Sequence, residues 1–109
     1  MDNDSPLLFA LTRSLAFGQQ VAHHLGVSLA VHEEREFEDR EYKIRTLQNV
    51  RGRECFVLHS LYGEPVHSGD DKLNRLLFFI AALKDASAAR VTAVVPYLAY
   101  ARKIGRAHV

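Results

Sequence analysis

The chain has 109 residues, of which 48% are hydrophobic and 25% are charged, and its formal net charge is +1. This composition is typical of one globular domain and excludes a disordered chain. No apolar run reaches the roughly 18 residues of a transmembrane helix, and the acidic N-terminus lacks the basic start of a secretory signal, so we expect a cytoplasmic protein. The near-neutral charge argues against nucleic acid or an anionic membrane as a partner.

The first part of the chain predicts a strand, a helix and a second strand. Residues 7–11 are a short apolar run, and residues 13–25 have an apolar stripe at helical spacing that ends at Gly26, a residue suited to a left-handed helix terminus. Residues 27–31 predict the returning strand. Such a unit implies a right-handed crossover and a parallel pair. The stripe consists of Phe17, Val21 and Leu25.

The rest of the chain predicts a second, larger unit of the same kind. A polar loop at residues 32–40 precedes a half-exposed strand that starts at Tyr42. Residues 55–60 predict a strand buried on both faces, residues 71–87 a helix, and residues 90–97 a last strand. The apolar arc of the helix is wide enough to suggest a second buried face. The fold class is therefore α/β, with three layers and a mostly parallel sheet flanked by helices.

Two segments predict a ligand site. Residues 97–103 form an aromatic and basic loop after the last strand, where a parallel sheet binds ligands, and Arg102 and Lys103 suit phosphate. In an extended backbone Phe37, Asp39 and Glu41 point to one side, where a ring could stack on a base and carboxylates could accept from a ribose or amino group. The alternatives are a basic strand end that favours solubility and a solvated acidic turn.

Other chemistry-bearing residues favour structural roles. Cys55 lies in an apolar strand and is interpreted as a buried thiol. His23 and His24 are adjacent on a helix and cannot easily share one metal ion. Residues 32–34, with one histidine and two glutamates, give only a weak metal signal. The chain has no glycine-rich phosphate loop and no convincing Ser-His-Asp arrangement.

Five segments in the same order resemble the N-terminal domain of ribose-phosphate pyrophosphokinase, also called phosphoribosyl pyrophosphate (PRPP) synthetase. The resemblance covers residues 1–103 as one domain. Its landmarks are Phe37-Glu38-Asp39-Arg40-Glu41, Asn49-Val50-Arg51-Gly52-Arg53, Asp70-Asp71-Lys72-Leu73, Ala82-Leu83-Lys84-Asp85-Ala86-Ser87-Ala88, and Val91-Thr92-Ala93-Val94-Val95-Pro96-Tyr97 followed by Tyr100-Ala101-Arg102-Lys103.

The resemblance implies an enzyme of nucleotide biosynthesis that transfers the β,γ-pyrophosphoryl group of ATP to ribose 5-phosphate, giving PRPP and AMP with Mg²⁺. It implies that Phe37 packs on adenine, that Asp39 and Glu41 contact nucleotide in a neighbouring subunit of a homo-oligomer, and that Arg102 and Lys103 hold ATP phosphates. Arg51 resembles a position near a regulatory phosphate site. The catalytic histidine and the Mg²⁺ ligands of the family are expected beyond the resembling part, so the fragment itself is expected to be inactive.

Two departures from the family pattern bear on these expectations. Arg40 stands where glycine is common, which could alter the turn that carries the carboxylates. Residues 104–109 leave the family pattern, and we interpret them as a tail that derives from adapter DNA fused to a truncated gene. The alternative hypothesis is a non-catalytic interaction domain that assembles with full-length PRPP synthetase.

Overall fold

The computed structural model describes residues 5–36, 42–60 and 69–96, and these form two small sheets and two helices. In chain order the elements are β1 (Leu7–Ala10), a 3-10 turn (Thr12–Ser14), α1 (Leu15–Leu25), β2 (His32–Glu36), β3 (Tyr42–Thr46), β4 (Glu54–Leu58), α2 (Gly69–Asp85) and β5 (Arg90–Val94). Within these described ranges, no helix is long and apolar enough to cross a membrane.

The larger sheet is parallel and has the strand order β1-β4-β5. Leu7 pairs with Cys55 in the first ladder, and Glu54 pairs with Arg90 in the second. Both strand-to-strand connections are long, as parallel pairing requires. The predicted α/β class with a mostly parallel sheet is confirmed.

The main core lies between this sheet and α2. Phe9 and Val57 project from the sheet and are 0% exposed, and Phe79 of α2 meets the Phe9 ring edge-on at 5.1 Å between centroids. Cys55 belongs to the same cluster and is fully buried, as predicted, and burial raises the pKa of its thiol. On α2, however, Leu77 and Phe78 are 52% and 57% exposed, so the described chain covers only part of the wide apolar arc.

Helix α1 packs through small residues, which corrects the predicted stripe. Phe17 and Leu25 are 40% and 65% exposed, whereas Gly18 and Ala22 are buried. A Cβ atom on Gly18 would lie 2.3 Å from the Cβ of Ala10, so only glycine permits this close approach to β1. The helical spacing of the apolar residues was predicted, but the face that packs against β1 is the neighbouring one, because its small residues allow a closer approach. The predicted end is confirmed, because Gly26 is left-handed.

The region between α1 and β3 also differs from the prediction. Residues 27–31 form no strand, although the Ala30 N–H donates to the Leu8 carbonyl at 2.7 Å and so holds this segment beside β1. Residues 32–36, predicted as part of a polar loop, form β2, which pairs antiparallel with β3 in a hairpin from His32↔Thr46 to Glu36↔Tyr42. A strand in which both faces carry charged side chains gives no alternating pattern.

Candidate functional site

The carboxyl edge of the parallel sheet gathers several of the polar side chains in the described ranges. Thr12 follows β1 and His59 follows β4, so both lie where ligands bind in open parallel sheets. The β2–β3 hairpin and α2 border the same edge. A cleft of about 110 Å³ lies between them, lined by Thr12, Arg13, Glu34, Arg35, Glu36, Tyr42 and Arg75.

Glu34 is the centre of this cluster. Its Oε2 accepts hydrogen bonds of 2.6 Å from the Thr12 N–H, the Thr12 hydroxyl and His32 Nε2, and its Oε1 accepts one of 2.9 Å from the Tyr42 hydroxyl. Burial by itself would raise the pKa of this carboxyl, but hydrogen bonds from His32, Thr12 and Tyr42 lower it to about 2. Burial and the nearby Glu34 charge raise the pKa of Tyr42. Glu34 is therefore a fixed anion that ties the hairpin to the end of β1.

Arg75 ties the same hairpin to α2. Its Nε donates to Asp71 at 2.9 Å, one turn earlier on the helix, and its terminal nitrogen donates to Glu36 at the end of β2. The guanidinium also lies over the Tyr42 ring, 4.3 Å from its centroid. Burial would lower the pKa of Arg75, but the bonds to Glu36 and Asp71 raise it overall. Arg75 thus contacts the last described residue of β2 and the first of β3.

His59 forms a second polar pair beneath this edge. Its Nδ1 lies 2.9 Å from the Ser14 hydroxyl, which also accepts a hydrogen bond from the Ser60 N–H, while no side chain in the described ranges is a hydrogen-bond partner of Nε2. The residue is 1% exposed, and burial lowers the pKa of His59 to about 4. A neutral imidazole paired with the buried Ser14 hydroxyl joins the ends of β1 and β4 and is not available to solvent.

Most of the predicted site residues lie outside the described ranges. This applies to Phe37, Asp39 and Glu41, which connect β2 to β3, and to Arg102 and Lys103. The described hairpin nevertheless fixes the two ends of the first group, at Glu36 and Tyr42. Arg40 and the tail at residues 104–109 also lie outside the described ranges.

Arg51 is described, and it lies away from the carboxyl edge of the sheet. It occupies the turn before β4, where its N–H donates to the Asn49 side chain at 3.0 Å and its own side chain is exposed. Because β4 is parallel to its neighbours, this turn is at the amino edge of the sheet. A phosphate bound by Arg51 would therefore be separate from a ligand at the carboxyl edge.

The sequence interpretation missed Glu34, Tyr42 and Arg75 as organising residues. One signal was available, because Asp71 and Arg75 have the i,i+4 spacing of a helical ion pair. Glu34 gave no comparable signal among the neighbouring carboxylates. Within the described ranges, no group of three His, Cys, Asp or Glu side chains could hold a metal ion.

Comparison with known proteins decides the family. The family described as the N-terminal domain of ribose phosphate pyrophosphokinase matches residues 7–108. The chain belongs to this family. The predicted resemblance is confirmed. The α/β fold also agrees with that of a solved relative, the crystal structure of phosphoribosylpyrophosphate synthetase from Mycobacterium smegmatis. That structure matches with a TM-score of 0.80 and 34% identity, over 92% of this chain and 32% of that one.

Relatives in other bacteria are similar over the same region. A ribose-phosphate pyrophosphokinase of Chromobacterium violaceum is 39% identical over 100 residues, which are 92% of this chain and 29% of the relative. One of Nitrosomonas europaea is 37% identical over 103 residues, which are 94% of this chain and 31% of the relative. The chain therefore corresponds to the N-terminal third of PRPP synthetases.

Proposed function

We propose that this chain is the nucleotide-facing N-terminal part of a ribose-phosphate pyrophosphokinase. In the complete reaction the C1 hydroxyl oxygen of ribose 5-phosphate attacks the β-phosphorus of ATP, the bond from that phosphorus to the α,β-bridging oxygen breaks, and AMP leaves while the hydroxyl loses its proton. Catalysis of such a transfer depends on positioning and on stabilising phosphate charge. The products are PRPP and AMP.

The observation that carries this proposal is the anchored β2–β3 hairpin in a chain of this family. Glu34 and Arg75 hold both strands, and residues 37–41 connect the last residue of β2 to the first of β3. A short connection between fixed ends limits where its side chains can go. This supports a role for Phe37 in packing on adenine and for Asp39 and Glu41 in contacting nucleotide.

The basic residues complete the proposed nucleotide half of the site. β5 ends at Val94 on the carboxyl edge of the sheet, and Arg102 and Lys103 follow it by eight and nine positions. A guanidinium and an ammonium there would hold ATP phosphates and offset developing negative charge. Mg²⁺, when bound, would neutralise phosphate charge further, and we assign its ligands to the part of the family's polypeptide that this chain does not span.

A chimeric synthetase tests the proposal. Residues 7–103 of this chain replace the aligned residues of the Chromobacterium violaceum relative, and PRPP formation is measured with ATP and ribose 5-phosphate. We expect Phe37→Ala to raise the KM for ATP by about 5- to 150-fold, because the loss of an aromatic stacking surface costs about 1–3 kcal/mol. Gln20→Ala, on the exposed side of α1, is the matched control. An unchanged KM for ATP in Phe37→Ala would contradict the assigned role.

The 109-residue chain alone makes a complementary test. Purified and supplied with Mg²⁺, ATP and ribose 5-phosphate, it should form no AMP, because the ribose-phosphate part of the site is assigned to the rest of the polypeptide. AMP formation that co-elutes with the chain would contradict the assignment of the ribose-phosphate part of the site to the rest of the polypeptide.

A second candidate function is favoured by the exposed apolar pair on α2. Leu77 and Phe78 are more than half exposed on a helix whose opposite side is the core. Such a pair suits a non-catalytic domain that joins full-length synthetase subunits. Co-purification with an intact synthetase that is lost in Phe78→Glu would support this candidate, and unchanged co-purification would exclude α2 as the contact.

A further inference from the structure

The two ends of the β2–β3 hairpin contact the rest of the domain in different ways. At the base, the His32 ring lies 5.1 Å from the Phe79 ring of α2 between centroids, and Ile44 of β3 packs against the same apolar core. At the far end, where residues 37–41 join the two strands, the contacts with α2 are polar and aromatic and centre on Arg75. The base is therefore part of the core, whereas the far end relies mainly on Arg75.

Arg75 contacts three groups at once, and this requires a guanidinium. Its Nε donates to Asp71 at 2.9 Å, a terminal nitrogen donates to Glu36, and its Cζ lies 4.3 Å from the centroid of the Tyr42 ring. The side chain of Arg75 is only 13% exposed, although the Glu36 carboxylate is 57% exposed. A lysine ammonium has the same charge, but it cannot donate in two fixed directions while it stacks on a ring. Arg75 is therefore a partly buried bridge between α2 and both strands.

This bridge fixes the ends of a short connection. Residues 37–41 join Glu36, the last residue of β2, to Tyr42, the first residue of β3. Without Arg75, these ends could separate from α2 while the base of the hairpin stays in the core. The connection would then hold its binding-competent arrangement for only a fraction of the time. The apparent affinity for a ligand of the connection falls in proportion to that fraction.

We propose that Arg75 is a positioning residue that sets the affinity for ATP without contacting the nucleotide. The inference rests on the proposed function, because Phe37, Asp39 and Glu41 lie in the connection whose ends Arg75 holds. Bound ATP selects the competent arrangement, so Arg75 affects nucleotide binding and not pyrophosphoryl transfer. The expected signature is a raised KM for ATP, with kcat and the KM for ribose 5-phosphate unchanged.

Steady-state kinetics of the chimeric synthetase test the proposal. Arg75→Gln should raise the KM for ATP about tenfold and leave kcat unchanged, because saturating ATP restores the competent arrangement. Arg75→Lys keeps the charge, is the milder change for folding, and should shift the KM in the same direction. The matched control is Arg45→Gln, which breaks an exposed ion pair with Glu33 on the opposite face of the hairpin and should leave both constants unchanged.

A double-mutant cycle assigns the effect to the bridge between Arg75 and Glu36. Glu36→Gln alone should raise the KM for ATP, and the double variant should have a KM close to that of Arg75→Gln, since both changes break one contact. Increases that multiply in the double variant would overturn the proposal. An unchanged KM for ATP in both Arg75 variants would do the same, as would a fall in kcat with the KM unchanged.

The inference and the proposed function can fail separately. If Phe37→Ala leaves the KM for ATP unchanged while the Arg75 variants raise it, the adenine contact of Phe37 is wrong and the positioning role of Arg75 stands. If Phe37→Ala raises this KM and the Arg75 variants do not, the positioning role is wrong and the proposed function stands.

Discussion

Replacement of Glu34 by glutamine tests whether one buried carboxylate holds the hairpin. The amide oxygen can take the place of Oε2 and still accept from Thr12 and His32, while the amide nitrogen turns towards the Tyr42 hydroxyl. The variant therefore keeps the shape and loses the charge. Charge-assisted hydrogen bonds are roughly twice as strong as neutral ones, so three weakened bonds cost about 3 kcal/mol.

The pKa of Glu34 leads to the same magnitude by a different argument. Its pKa falls from 4.5 in the unfolded chain to about 2 in the fold. At about 1.4 kcal/mol per pKa unit, ionised Glu34 stabilises the fold by about 3 kcal/mol above pH 4.5. Because the folded pKa is depressed, this stability is lost as pH falls from 4.5 towards 2.

Urea unfolding followed by circular dichroism measures both effects. At pH 7 Glu34→Gln should lower the free energy of unfolding by about 3 kcal/mol, a large share of the roughly 5–15 kcal/mol typical of a domain. Between pH 5 and pH 3 the natural chain should lose roughly 2 kcal/mol more than the variant, since only the natural chain has this carboxyl to protonate. The control is Glu33→Gln, whose partners Arg45 and Arg35 are exposed and which should cost less than about 1 kcal/mol. Equal acid sensitivity of Glu34→Gln and the natural chain would refute the argument.

Three further predictions concern the remaining contacts. Burial lowers the pKa of His59 to about 4, so the fold resists protonation of this ring and should lose about 3 kcal/mol of stability as pH falls from 6.5 to 4. His59→Asn should abolish that loss in urea titrations. Gly18→Ala should lower the free energy of unfolding by about 1–3 kcal/mol through its clash with Ala10, as measured by thermal and urea unfolding. Arg75→Gln should speed amide hydrogen exchange across β3 at least tenfold, whereas Arg90→Gln, which breaks an exposed pair, should leave it unchanged.

Each of these predictions has an outcome that contradicts it. Retention of the acid-dependent loss in His59→Asn would mean that another group titrates in that window. A more stable Gly18→Ala would mean that α1 moves away from β1 at little cost. Unchanged exchange in Arg75→Gln would mean that the hairpin is held by Glu34 alone.

The parts of the fold with regular apolar patterns were predictable. β1 and β4 are short continuous apolar runs, the apolar residues of α2 repeat with the helical period, and the left-handed end of α1 follows from Gly26. The buried face of α1 was not predictable, because it depends on the contact of Gly18 with Ala10, which belongs to a different element. β2 was missed because its stability comes from pairing with β3 and from ion pairs, neither of which leaves a hydrophobic period.

The candidate site was predictable only in outline. The carboxyl edge follows from parallel topology, and the family's motif positions follow from resemblance. Glu34 lies between other glutamates of the same strand, and only the fold brings it to Thr12, 22 positions earlier in sequence. In the sequence Arg75 likewise resembles an ordinary arginine of a helix, and only the fold shows its contact with the hairpin.

In the part of the chain that the structure describes, the hairpin and the parallel sheet share no ladder, and this separation makes the hairpin a transferable unit. The Leu47 N–H donates to the Val31 carbonyl at 2.9 Å and closes its base, while side chains supply its attachments to β1 and α2. We expect that these strands can be exchanged between these two residues without shifting the register of β1, β4 and β5. The nucleotide contacts that we propose for residues 37–41 could therefore be redesigned by grafting a different hairpin, provided that the graft retains the equivalents of Glu34 and Glu36.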